Sequence, residues 1–211
     1  ARLSIVGLQQ RLLSSVAAFA HTLEVHLRGL QRAATSVSLA DAEAYVAGPA
    51  EAEDEALDEA AAEARTDAEQ DEATEAAAAL AAPVSDRAHV EAMLTIARSN
   101  ASRPDARLRW LAQWIRTNFA PGGRWNDRRL VLFTEFEDTR RWLQKRLGEA
   151  LDDLNPDERM AAFTGATTAD RREDLKRRFN ADPATDPLRI LICTDAAREG
   201  INLQARCHDL I

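Results

Sequence analysis

Lysine is almost missing from this chain: of its 27 basic residues only Lys145 and Lys176 are lysine. With the abundance of alanine, this reads as the coding bias of a GC-rich bacterial genome rather than as chemistry. Cysteine is scarce too. Cys193 and Cys207 each sit in an apolar, strand-like stretch, with no second Cys or His at metal-ligand spacing, so two reduced core thiols and no metal site are expected. His208 beside Cys207 changes nothing, because adjacent strand residues point to opposite faces. Aromatic residues make up only 5% of the chain. No run of 18 or more apolar residues occurs, so no membrane-spanning helix is expected. The first residues interleave apolar side chains with Arg and Gln, unlike a signal peptide, and a cytoplasmic protein is expected.

What is present is unevenly spread. Between Asp41 and Leu80 there are 14 acidic residues against one basic residue, Arg65. That is a local charge of −13, which leaves +5 for the rest of a chain whose net charge is −8. The acidity is local, so a nucleic-acid partner for the remainder is compatible with the global charge.

Residues 1–33 predict a helix within a helical linker over 1–40, with Leu12, Val16, Phe19, Leu23, Leu27 and Leu30 in one apolar stripe. The stripe suits a coiled-coil seam or, preferably, packing on a neighbouring domain. Residues 41–84 are Ala/Glu/Asp-rich and permit either a disordered acidic linker or a solvated helix. A solvent-exposed helical arm over 50–80 is the expectation, bounded by Gly48-Pro49 and Ala82-Pro83. Residues 85–211 open with two helical segments, "SDRAHVEAMLTIARS" with Ser85 as N-cap and "SRPDARLRWLAQWIRTNF" with Pro104 in its first turn. The second has an inner face of Leu108, Leu111, Ile115 and Phe119. The period then changes. Short apolar runs at 130–134, 160–164 and 188–194 alternate with helical stretches, and "CHDLI" begins a fourth strand. Such alternation predicts an α/β fold with a parallel sheet. The start without Met and the stop in a strand suggest a fragment of a longer protein.

Each complete strand ends in threonine: "VLFTEF", "AAFTGATT" and "ILICTDAAREGIN". Ligands of open parallel sheets bind beyond the C-terminal ends of the strands. Thr134, Thr164 and Thr194 would therefore line one edge. The N-termini of the following helices would favour phosphate, and Gly165 and Gly200 would allow close backbone approach. The pattern suits a nucleic-acid backbone better than a metal or an acyl substrate. The competing reading is that each threonine caps the helix after it.

"VLFTEFEDT", "FTGATTADRREDLKRRFN" and "ILICTDAAREGINLQ", in that order, resemble motifs IV, IVa and V of superfamily 2 helicase-like ATPases, and "GINLQ" is similar to the Snf2-type branch. "LQQRLLSSVAAFAHTLEVHL" resembles the segment linking the motor lobes in bacterial Snf2-like proteins, including those of the DISARM phage-defence type. The resemblance implies the second RecA-like lobe of a two-lobe motor, with a first lobe elsewhere as partner, ATP and Mg in the complete protein, and nucleic acid, double-stranded DNA, across both lobes. It implies nucleic-acid contacts for Thr134, Thr164, Gly165, Thr194 and Asp195, nucleotide contacts for Gly200 and Asn202, and either coupling of the two sites or a plain surface ion pair for Arg198 and Glu199. Many relatives have Asp in place of Asn202, which puts a ribose contact there in doubt. The chain contains no G-x-x-x-x-G-K-[ST] loop, no D-E-x-H box and no Q-x-x-G-R-x-x-R motif. No catalytic residue is therefore assigned, and the chain alone is expected to be inactive towards ATP. A helical protein-interaction module carrying a non-motor α/β domain is the alternative.

Overall fold

In a computed structural model the described residues are 2–36, 68–69, 71–72, 74–76, 87–165, 167–194, 203 and 205–211. They form two compact units, Ala1–Asn100 and Ala101–Ile211.

In the first unit the single long helix expected from the stripe is two: α1, Arg2–Ser14, and α2, Val16–Ser36. Ser15, fully buried, lies between them and caps α2, its Oγ accepting from the Ala18 N–H at 3.1 Å. The stripe is buried only from Val16 onward. Phe19, Leu23 and Leu27 are buried with Val90, Leu94 and Ala97 of α3, Arg87–Ala101, whereas Leu12 is exposed. The proposed cap Ser85 lies outside the described residues. The parts of the acidic segment that are described, 68–69, 71–72 and 74–76, are helical. They are not a free arm: Glu75 is only 7% exposed and pairs with arginines of α2.

In the second unit α4, Ala106–Phe119, is capped by Asp105, which accepts from the Leu108 N–H at 2.8 Å. Pro104 lies outside the helix. Leu108, Leu111, Ile115 and Phe119 are buried as expected. The strands are β1 Leu130–Thr134, β2 Met160–Phe163, β3 Ile190–Thr194 and β4 Asp209–Leu210, all parallel in the order β2-β3-β1-β4. Helix α5, Glu137–Ala150, joins β1 to β2, and α6, Ala169–Asn180, follows β2.

The two connections run in opposite directions along the sheet, so right-handed crossovers place their helices on opposite faces. The packing agrees. Leu130, Leu132, Ile190 and Ile192 pack with α4 and α5, while Val131, Phe163, Leu191 and Cys193 pack with Leu175 and Phe179 of α6. Successive strand residues serve opposite faces, which is why the strands read as unbroken apolar runs. The sheet is therefore sandwiched between helices, a RecA-like α/β arrangement.

A hexapeptide pattern, Arg, four mostly apolar residues, Thr, recurs at 129–134, 159–164 and 189–194. The strand register sets the three arginines side by side at the N-terminal edge. Arg189 is almost wholly buried yet satisfied by the carbonyls of Asn126, Pro183, Asp186 and Leu188. Arg129 is 0% exposed. Its Nη1 donates to the Arg178 carbonyl at 2.9 Å, in the last turn of α6, and its guanidinium lies 5.5 Å from the centroid of Phe179. Its Nε and Nη2 have no hydrogen-bond partner among the described residues. Desolvation, then the like charge of Arg189, lowers its pKa.

Both cysteines are free thiols. Burial pushes Cys193 from 9.0 up to about 12, and burial also raises Cys207, which is only half-buried. At pH 8 the thiolate fraction of Cys193 is about a thousandfold below that of an unperturbed thiol. Intact-mass analysis during iodoacetamide treatment should therefore find Cys207 alkylated first and Cys193 only as the unit unfolds. Equal rates would contradict the buried setting of β3.

Candidate nucleic-acid interface

Thr134 and Thr194 are register partners on neighbouring strands. Phe163 pairs with Cys193, so Thr164, one residue further on, stands level with Thr194. The structure thus brings Thr134, Thr164 and Thr194 to one edge of three adjacent strands, with Gly165 beside them. Asp195, Arg198, Glu199, Gly200 and Asn202 lie outside the described residues.

The capping explanation fails for two of the three threonines. The Thr134 hydroxyl donates to the Phe136 carbonyl at 3.3 Å, and α5 begins after Phe136 without a side-chain cap. The cap of α6 is Thr168, not Thr164. Thr164 instead bonds to its own loop. Its N–H donates to Thr167 Oγ1 at 2.9 Å, and the two hydroxyls lie 3.3 Å apart.

Of the helix N-termini expected to favour phosphate, those of α5 and α6 are described, and the segment after β3 lies outside the described residues. The first turn of α5 carries Glu137 and Asp138, and that of α6 carries Asp170. Acids of the chain itself already complement those dipoles. Glu137 is also tied to Arg140 and Arg141.

Sequence reasoning missed the residue that shapes one of the strand-end loops. Arg172 donates from Nε to the Thr167 carbonyl at 2.7 Å and from Nη2 to the carbonyls of Gly165 at 2.8 Å and Thr164 at 3.4 Å. Its guanidinium lies 5.7 Å from the Phe163 ring centroid. A signal existed: Arg172 shares the helical stripe of Leu175 and Phe179, so it starts on the buried face.

The parallel sheet covered by helices on both faces defines an α/β domain whose three threonines lie on the edge where ligands of open parallel sheets bind. Residues 117–208, which span β1 to β3 with their helices, match the family model described as Helicase conserved C-terminal domain. The match supports a helicase-type C-terminal lobe over that span, a kind of domain that works with nucleic acid and with another lobe. No curated protein and no solved structure matches the chain. Among the described residues no helix is long and apolar enough to cross a membrane, and no group of His, Cys, Asp and Glu could hold a metal ion.

Proposed function

We propose that residues 85–211 are the second motor lobe of an Snf2-like superfamily 2 translocase or helicase, in the manner of DISARM-type proteins. In this reading Thr134, Thr164, Gly165, Thr194 and Asp195 grip the backbone of double-stranded DNA. Gly200 and Asn202 face nucleotide held with a first lobe, and Arg198 and Glu199 couple the two. The supporting observation is the level row of three threonines on one strand edge inside the matched span. The chain contains no phosphate loop, and in this reading ATP and Mg are held with groups of the other lobe.

Phosphate contacts position a duplex without reading sequence. Thr194→Ala should remove one hydrogen bond, about 1 kcal/mol, and so weaken duplex binding about fivefold on all sequences. The salt slope should hold, because a neutral hydroxyl displaces few counterions. Fluorescence anisotropy with two unrelated duplexes measures both quantities. Unchanged affinity with a lowered melting temperature would make Thr194 a purely structural residue and remove the site.

A further inference from the structure

The helical first unit carries charge chemistry that the strand-edge site does not use. At 3.6 residues per turn, His21, Arg28 and Arg32 fall within about 40° of one another, on the face of α2 opposite Phe19, Leu23 and Leu27. That face is occupied by the acidic segment. Arg28 Nε meets Glu75 at 2.6 Å and its Nη2 meets Asp71 at 3.2 Å. Arg32 Nη1 meets Glu75 at 2.5 Å, and His21 Nε2 meets Asp71 at 3.2 Å. Hydrogen bonding to Glu75 raises the Arg28 pKa.

We propose that this face of α2 is a binding site for the phosphodiester backbone of a nucleic acid, and that Asp71 and Glu75 occupy it as an internal stand-in for phosphate. The proposal rests on the nucleic-acid reading above only for the identity of the polyanion. The charge distribution argues for it. The segments 2–36 and 87–101 hold six arginines against Glu24 and Glu91, whereas 41–80 carries −13. A net-positive helical scaffold is therefore paired with the one strongly anionic stretch of its own chain.

The chemistry fits as well. Guanidinium forks bind carboxylate and phosphate with the same bidentate geometry. Both guanidiniums stay accessible, their side chains being 47% exposed in Arg28 and 73% in Arg32. The arginine side of each pair is open to water although Glu75 is buried, so an incoming anion can reach both guanidiniums while Glu75 is still seated. The acidic segment then acts as a competitor that nucleic acid must displace.

The test uses the whole chain and a short fluorescein-labelled DNA duplex, with anisotropy read across a salt series. Asp71→Asn with Glu75→Gln should tighten binding about tenfold at low salt. The slope of log affinity against log salt should steepen by about 1.8, the increment for two added phosphate contacts. Adding Arg28→Gln and Arg32→Gln should abolish both gains. A double acid variant that binds as the wild type does, or a gain that survives loss of the two arginines, overturns the proposal. Hydrogen exchange of the unmutated chain gives an independent reading. Saturating duplex should speed exchange across 68–76. Unchanged exchange there, with duplex bound in a Thr194-dependent way, overturns this inference and leaves the strand-edge site standing.

Discussion

Replacing Phe179 by alanine will destabilise the α/β unit by about 3–5 kcal/mol, the range for deleting a buried aromatic ring. Phe179 is fully buried among Val131, Leu175, Leu191 and Cys193, where it holds α6 against the sheet. The loss should lie towards the upper end. The ring is also the aromatic face over which the Arg129 guanidinium sits, and removing it leaves that buried cation beside a void, with Nε and Nη2 still unpartnered. Arg129→Met should cost less, because it withdraws the desolvated charge along with its bond to the Arg178 carbonyl. The double variant should show a coupling of about 0.5–1 kcal/mol. All four tryptophans, Trp110, Trp114, Trp125 and Trp142, lie in this unit, so their emission during urea titration reports its unfolding alone. A loss under about 1 kcal/mol would mean that α6 does not seal this face of the sheet.

The parallel sheet was legible because both of its faces are covered: β1 and β3 have no polar positions before their terminal threonines. The row of threonines was legible for the same reason, since each one ends an apolar run. The break between α1 and α2 at Ser15 was not, because an apolar stripe at steps of three and four passes through it unchanged. Only the cap bond from the Ala18 N–H distinguishes it. Arg129 and Arg189 were invisible as core residues because backbone carbonyls and an aromatic ring receive them, and no side-chain pattern records such partners. The seating of Asp71 and Glu75 was missed for a related reason. A segment without large apolar residues reads as solvated, yet ion pairs can dock it without an apolar face.

Arg172 offers the sharpest test of whether the strand-edge loop touches nucleic acid. Three of its hydrogen bonds fix the carbonyls of Thr164, Gly165 and Thr167, adding to the bonds between Thr164 and Thr167 that hold the same loop. Arg172→Ala should lower the stability of the unit by about 1–3 kcal/mol, since the carbonyls lose a charged donor while Gly165 remains open to water. It should also weaken duplex binding about tenfold if the loop contacts phosphate. Arg172→Lys separates the causes. Lysine keeps the charge but is a compact donor, unable to span three carbonyls as a planar fork does. If Arg172 works by holding the loop, the lysine variant should lose nearly as much affinity as alanine, and the salt slope should be the same for wild type and both variants. If Arg172 itself meets a phosphate, lysine should restore most of the affinity, and the slope should fall by about 0.9 in the alanine variant alone. The hydrogen bonds favour the first outcome, because the guanidinium is already turned inward to the chain. Retention of full duplex affinity by the alanine variant, measured below its melting temperature, would place the loop and Thr164 outside the interface.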